Sequence, residues 1–417
     1  MRDPQYQNRR GSSFKVSYPD FPAINQPARS ITIYQEMGKH DIVEIFYPKF
    51  STALFKGLKT GVPVSINWRN DKVNEKFFGY TIDVSYPTLQ KIDRGVTIRC
   101  VGSSYPLKEK ASKIWTNRTA TEIADEIAKK FKLKPVITPH TARFSQLSLS
   151  GQSYWEKLNE LAIKIGYGVQ VRGTELHFHP IDKMIDQFMT SIPVMMFKDP
   201  MMHPMSSFNA PTLDFFEPVI GDHNEASEFI RKTNVVSGVD PLTAKPYTYT
   251  ASSNKVGKSL RSTTKDPLFN SIETDIVVAS DALTKSLSEG RSQLGRFTMP
   301  AKGLGQGDPR ISPWRTLEIR GTGTTTDGFW VVKKAEHFIH SDGRYQVDFE
   351  CLTDGTGGNK PNSSRPSSAG TIPVRNVAAE MTAGKTKPTV TKLSGATAMV
   401  SQTNAGYKVT PRRWGGR

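Results

Sequence analysis

Few residues in this chain have types and spacing suited to chemistry. His177 and His179 are separated by one residue, which on a strand puts two imidazoles on one face at a spacing metals can use. No Cys and no acidic cluster follows in sequence to complete four ligands, so two histidines of a hairpin is the simpler reading. His337 and His340 lie on a later strand and its turn and carry the same two alternatives. The run Gly321-Thr-Gly323-Thr-Thr-Thr-Asp-Gly328 resembles a phosphate loop only in its glycines. It lacks the Gly-Lys-Ser/Thr ending and joins two strands, so no helix N-terminus is supplied to bind an anion. Neither a Gly-x-Ser-x-Gly elbow nor a His-Glu-x-x-His helix occurs. The carboxylates are scattered beside Lys and Arg, and none is singled out as half of an acid/base pair. Cys100 and Cys351, the two cysteines, cannot build a disulfide framework or a four-thiolate zinc site. The sequence therefore nominates no catalytic, cofactor-binding or metal-ligating residue, and no cofactor.

Charge gives a stronger signal. The chain has 417 residues, with 56 Lys and Arg against 39 Asp and Glu, a net charge of +17. Such a balance first suggests nucleic acid or an anionic surface as partner. The charge is unevenly placed, however. Residues 355–417 carry ten basic residues against Glu380 alone, a net +9, which leaves +8 for the first 354. No helix-turn-helix, zinc-finger or aromatic RNA-binding signature accompanies the remainder. No segment approaches the roughly 20 apolar residues of a membrane helix. The opening MRDPQYQNRRGSS has no apolar region of a secretory signal, so manufacture in a reducing cytoplasm without stable membrane insertion is expected.

The elements that would hold these residues fall into blocks. Residues 11–102 contain short period-2 segments, among them Ser30–Tyr34, Ile42–Phe46, Val62–Ile66, Phe78–Val84 and Val96–Cys100. Their β-branched and aromatic residues, separated by Gly, Pro, Asn and Asp, predict a small barrel or sandwich. Two capping boxes follow, Thr119-Ala-Thr-Glu122 and Ser153-Tyr-Trp-Glu156, each opening a run of apolar residues at helical spacing. Gly166 is placed to end the second helix, and Tyr167–Val171 and Glu175–His179 read as a hairpin across Arg172-Gly-Thr174. Residues 106–182 thus read as a compact α+β unit. The Met-, Pro- and Phe-rich stretch 184–214 fits no class. Glu228–Val236 reads as a strand before a turn at Gly238–Pro241, residues 250–275 are uninformative, and a helix is predicted over about 280–294. Strands return at Trp314–Arg320, Phe329–His340 and Tyr345–Leu352. Trp115, Trp155 and Trp330 read as core aromatics before binding anchors.

An internal echo links the first and last β blocks. Phe78-Gly-Tyr-Thr-Ile-Asp-Val84 leads through a turn to Gly95-Val-Thr-Ile-Arg-Cys100. Gly328-Phe-Trp-Val-Val-Lys333 leads through a turn to Gly343-Arg-Tyr-Gln-Val-Asp-Phe-Glu-Cys351. The echo is either an accidental likeness of two hairpins or one barrel used twice. After Asp354 the composition turns to Gly, Pro, Ser, Thr, Lys and Arg, with too little apolar surface to offset the entropy of folding alone.

Several stretches resemble the late control D family of phage tail hubs, with contractile-tail baseplate hubs and type VI secretion spike proteins. Ser104-Tyr-Pro-Leu-Lys-Glu-Lys, Trp115–Phe131, Gln152–Tyr167 and Leu176-His-Phe-His-Pro180 are similar to the family's central domain. Phe297-Thr-Met-Pro-Ala-Lys-Gly303, Pro309-Arg-Ile311 and Gly328–His337 resemble its second barrel. The resemblance covers roughly residues 20–354. It implies a mainly β fold with an α+β insert: two related tail-tube-like barrels, a central α+β domain and an extended C-terminal tail. The divisions that follow are an N-terminal arm (1–20), a first barrel (21–104), the α+β domain (105–183), a second barrel (184–354) with a polar insertion at about 240–280, and a tail (355–417).

The function so implied is structural and non-enzymatic. Three chains would close a pseudo-hexameric ring at the virion's tail tip or baseplate. The ring would join the tail tube and distal tail protein to the tip and other receptor-binding proteins, and let the tape measure protein and DNA pass without specific binding. No lysozyme or peptidase module and no β-helical spike is seen after Asp354. The tail, for its part, is expected to lie along neighbouring tip proteins or to stay solvated. A tail-associated peptidoglycan-degrading enzyme and a non-specific nucleic-acid-binding protein remain the alternatives.

Overall fold

The computed structural model describes residues 12–20, 27–48, 59–70, 73–85, 95–186, 192–197, 212–219, 233–240, 243–252, 271–277, 280–294, 297, 299–322, 327–353, 371–374, 391–394, 398–403 and 406–411. Six strands open the chain: β1 (Ser13–Ser17), β2 (Ser30–Glu36), β3 (Ile42–Tyr47), β4 (Pro63–Arg69), β5 (Asn74–Ser85) and β6 (Val96–Gly102). They follow one another in space as β1-β4-β5-β6-β3-β2. Period-2 alternation sets the faces, because a strand sends successive side chains to opposite sides. Ile31, Ile33, Val43, Ile45, Val64, Ile66, Ile98 and Cys100 point inward and are buried. Their cross-strand partners share that face: Ile31 pairs with Ile45 and Val43 with Cys100.

The middle of the chain follows its capping signals. After β7 (Lys110–Thr119) come α1 (Ala120–Lys130), β8 (Lys134–Ile137), β9 (Arg143–Ser153), α2 (Tyr154–Ile165), β10 (Tyr167–Arg172), β11 (Glu175–Pro180) and a short α3 (Ile181–Asp186). Thr119 and Ser153 each accept the backbone N–H of the Glu three residues on, and each Glu reaches back to the cap's own N–H. A cap of this kind is worth about 1 kcal/mol. Gly166 ends α2 at φ +69°, a left-handed position that suits glycine. The apolar stripes of α1 and α2 meet the inner faces of β9, β10 and β11 in one core, which includes Trp115, Trp155, Leu158, Leu161 and Phe178. The long ribbon of β7 paired with β9 was not legible in the sequence: its outer residues are polar apart from Ile114, and its inner apolar residues are sparse, Trp115 on β7 with Phe144, Leu147 and Leu149 on β9.

The second β block holds β12 (Val194–Phe197), β13 (Thr212–Pro218), β17 (Met299–Gln306), β18 (Thr316–Arg320), β19 (Gly328–His340) and β20 (Tyr345–Thr353). These close on themselves in the order β19-β18-β12-β13-β17-β20, with β20 returning to β19. Trp330, Val332, Val347, Phe349 and Cys351 fill this six-stranded barrel. Unlike a simple meander it contains two parallel pairings, β12 with β13 and β12 with β18.

One strand belongs to both β bodies. The first part of β19 pairs with β18, Gly328 opposite Ile319 through Val331 opposite Thr316. Its second part pairs with β2, Lys334 opposite Glu36 through His340 opposite Ser30. Along its other edge β20 runs past both parts, and the register slips between Val332 and Lys334. The bulge therefore sits where β19 passes from one barrel to the other, as expected of a device that turns a strand. The same device occurs in the first barrel: β5 and β6 slip between Thr81 and Asp83, with Thr81 opposite Cys100. In the second, Val332 lies opposite Cys351. The two hairpins of the sequence echo thus share bulge and register.

Residues between β13 and β17 differ from expectation. The strand expected over 228–236 is Thr233–Val239 (β14), residues 228–232 lying outside those described. The turn comes later than Gly238, because Asp240 organises it: its carboxylate accepts the Thr243 hydroxyl at 2.7 Å and its carbonyl accepts the Ala244 N–H at 2.8 Å. The expected polar insertion holds β15 (Pro246–Ser252) and β16 (Ser271–Val277), which flank β14 in a separate sheet. With α4 (Asp281–Leu294) this sheet adds Val236, Leu283 and Leu287 to the α+β core and leaves the second barrel's own core apart. Helix α4 comes so near α2 that a Cβ on Gly290 would stand 2.5 Å from the Gly166 nitrogen. Within 355–417 two antiparallel strand pairs are described, Thr371–Val374 with Thr391–Ser394 and Ala398–Thr403 with Gly406–Pro411.

Candidate functional site

A cluster of half-buried charged side chains lies where the two barrels and the α+β unit converge. Four elements distant in sequence supply it: the β2–β3 turn, the start of β5, the β10–β11 hairpin, and the loop before β18. Arg315, entering β18, sends a guanidinium N–H to Glu75 of β5 at 2.5 Å, joining the barrels. Arg172, closing β10, donates to the Pro313 carbonyl at 2.8 Å and to Gln170 Oε1 at 3.2 Å. Gln35 of β2 donates to Asp41 at 3.0 Å. The hydroxyl of Ser103 reaches the Gly173 carbonyl, tying the exit of β6 to the same hairpin. Together these residues surround a small cavity of about 50 Å³.

Electrostatics confirm how tightly the charges are held. Burial pushes the Asp41 carboxyl up to about 6, against the hydrogen bond from Gln35 and the nearby charge of Arg172. Burial also brings Arg172 down to about 9, with the charge of Arg315 adding to the effect and Glu75 and Asp41 opposing it. Two cations and two carboxylates thus stand together where water is partly excluded, and an unmatched charge there is costly. The arrangement orients three bodies against one another. Backbone strain gathers here too. Trp314 adopts φ +67°, exceptional for a bulky side chain, with its N–H held by the Val332 carbonyl at 3.0 Å. Its ring lies against Gly168, where an added Cβ would meet Cζ2 at 2.9 Å.

A second contact locks the β2–β3 turn to α2. Trp155 Nε1 donates to the Gly38 carbonyl at 2.9 Å, and Asn159 donates to the same oxygen at 3.3 Å. His40 stacks on Trp155 with ring centres 4.8 Å apart and shares a 2.8 Å hydrogen bond with Ser104. Burial brings His40 down to about 4.

The residues weighed from sequence are dispersed. His177 and His179 have ring centres 5.9 Å apart in β11. His179 shares a 2.7 Å hydrogen bond with Thr138, and His177 lies 3.5 Å from Glu175. Among the described residues no group of three or more His, Cys, Asp and Glu could hold a metal ion. His337 is fully buried beside Tyr345, sharing a 3.0 Å hydrogen bond, and burial brings it down to about 4. His340 pairs with Asp342 at 2.9 Å at the β19–β20 turn. In the glycine-rich loop Asp327 accepts the N–H groups of Gly321 and Thr322 at 2.9 and 2.8 Å, closing a strand-to-strand connection. Trp115, Trp155 and Trp330 are buried in the cores. The sequence reading missed the junction residues Asp41, Glu75, Arg172 and Arg315, each of which resembles an ordinary surface charge until the fold gathers them. Among the described residues no helix is long and apolar enough to cross a membrane.

This architecture recurs in solved structures. A tail protein from Neisseria meningitidis superposes with a TM-score of 0.56 at 11% identity, over 83% of this chain and 98% of that one. A 43 kDa tail protein of prophage MuSo2 from Shewanella oneidensis gives 0.54 at 13%, over 82% and 99%. The chain has the phage tail-protein fold. An E. coli component of the type VI secretion system, itself structurally similar to T4 bacteriophage tail proteins, gives 0.50 at 8%, over 96% and 100%. No protein-family profile and no curated protein sequence matches the chain. The tail-protein fold is therefore carried by topology at identities where few individual residues are shared.

Proposed function

We propose that the chain is the structural hub of a bacteriophage tail tip or baseplate. The observation that carries this reading is the pair of barrels with matching bulges, locked side by side by β19. A chain that supplies two like units lets three chains supply six, so a trimer can face a sixfold tail tube and a threefold tip. In this role the hub joins the tail tube and distal tail protein to the tip and its receptor-binding proteins. It leaves a passage for the tape measure protein and then for DNA, which it does not bind specifically. The tail-protein fold supports placement in the virion, and the role requires no catalytic step.

The test is the mass of the protein in solution and in assembled particles, read by native mass spectrometry. The hub reading expects three copies per particle tip. A chain that stays monomeric in particles, with steeply salt-dependent DNA affinity surviving removal of 355–417, would instead support nucleic-acid binding.

A further inference from the structure

Many cations of the described surface pair with neighbouring carboxylates. Arg99 meets Glu44 at 2.7 Å, Lys134 meets Glu175 at 2.8 Å and Arg344 meets Asp342 at 2.7 Å. On one sheet face three such cations stand close together without a carboxylate partner among the described residues. On the outer face of β1, β4 and β5, Lys15 lies opposite Asn67, and Asn67 lies opposite Lys76. The adjacent row on that face is Ser13, Arg69 and Asn74. Opposed residues on antiparallel strands stand about 5 Å apart, so the two lysines are anchored about 10 Å apart with Arg69 one row away. Arg69 donates to the Ser13 hydroxyl at 3.0 Å. Among the described residues, no carboxylate lies within ion-pair distance of any of the three cations.

These side chains rim an open concavity of about 410 Å³. Like charges gathered on one sheet face without a counter-charge oppose the fold that holds them. An anionic occupant removes that penalty. Phe14 lines the concavity but is half-buried against the barrel core, so it offers a base a single, partly covered ring. Nucleic-acid grooves combine basic residues with such stacking platforms, and three cations are few beside the six to ten phosphate contacts of a DNA-binding protein. A short run of carboxylates matches the number and spacing better.

We propose that the outer face of β1, β4 and β5 is a docking site for an acidic segment of a partner protein, held by Lys15, Arg69 and Lys76. The site is independent of how many copies of the chain assemble and of what passes between them.

The experiment uses the full chain and hexaglutamate as probe, with amide hydrogen exchange read by mass spectrometry, because the basic tail also attracts anions and only a position-resolved signal separates the two. Hexaglutamate is expected to slow exchange in residues 13–17 and 65–69, while hexaglutamine leaves it unchanged. The variant K15Q/R69Q/K76Q weakens the effect about tenfold without altering exchange in β19 and β20. Should that variant misfold, Lys76→Gln alone is expected to weaken it about threefold. Protection confined to residues 355–417 would overturn the proposal. So would protection of β1 and β4 by inorganic phosphate or a DNA duplex at concentrations where hexaglutamate gives none.

Discussion

Cys100 and Cys351 occupy the same position in two barrels: each lies on the hairpin's return strand, opposite the residue just before its partner strand bulges. Thr81 faces Cys100 and Val332 faces Cys351, and in each case the next residue, Ile82 or Lys333, is the one passed over. Both thiols point into a barrel core. Shared register, bulge and inward thiol bind the two hairpins more closely than their side chains do, since Arg99 beside one cysteine corresponds to Glu350 beside the other.

Burial predicts inert thiols. It pushes Cys100 up to about 12 and Cys351 well above its ordinary value, so almost no thiolate forms near neutrality. The native protein is expected to resist a water-soluble disulfide reagent and to release two equivalents once denatured. Rapid reaction of either thiol in the native state would contradict the assigned burial.

Gly290 is expected to reject even a methyl group. In an open helix, Gly→Ala stabilises by about 1 kcal/mol. Here the added Cβ would stand 2.5 Å from the Gly166 nitrogen and 2.6 Å from the Ile165 carbonyl carbon. Gly290→Ala is therefore expected to lose about 1–3 kcal/mol by strain, measured by urea unfolding. A gain in stability would mean that α4 does not press on the end of α2.

The Glu75–Arg315 pair predicts a coupled response. Glu75→Gln removes a carboxylate that faces Arg315 directly and Arg172 at longer range, and is expected to cost about 3 kcal/mol. Arg315→Met in the same chain is expected to recover part of that loss. A double-mutant cycle checks it; strictly additive losses would show that the two side chains act independently.

Acid sensitivity has a definite sign. His40, His179 and His337 are held at about 4, below the usual 6.5, chiefly by burial. In each case the unfolded chain binds the proton first, so the associated stability is complete above pH 6.5 and is lost as pH falls towards 4. Asp41, raised to about 6, acts oppositely: its contribution is complete below about pH 4 and is lost as pH rises through 6. Three groups outweigh one, so stability is expected to fall from pH 6.5 to 4. His337→Gln should flatten that fall and Asp41→Asn should steepen it, both read from urea midpoints across the range.

The parts of the fold legible in the sequence were those written locally. Thr119 with Glu122 and Ser153 with Glu156 are three residues apart, and each marked a helix start correctly. Alternation at Ile31, Ile33, Val43 and Ile45 gave the strands and their inner face. Alternation does not name a strand's neighbour, so nothing in Phe329–His340 revealed that two bodies share it. The β14–β16 sheet was obscured in part because β15 is largely Ser, Thr and Tyr and shows no clear apolar alternation. Asp41, Glu75, Arg172 and Arg315 were illegible for a different reason: their chemistry arises from convergence across some 270 positions of chain.

The shared strand has a mechanical consequence. A hinge between the barrels would have to break the ladder between β19 and β2, or peel β20 from the same thirteen-residue rail. The angle between the two units is thereby frozen into the polypeptide before any neighbour arrives. Whatever assembly admits this chain must take that angle as its own curvature, with the molecule serving as a rigid gauge.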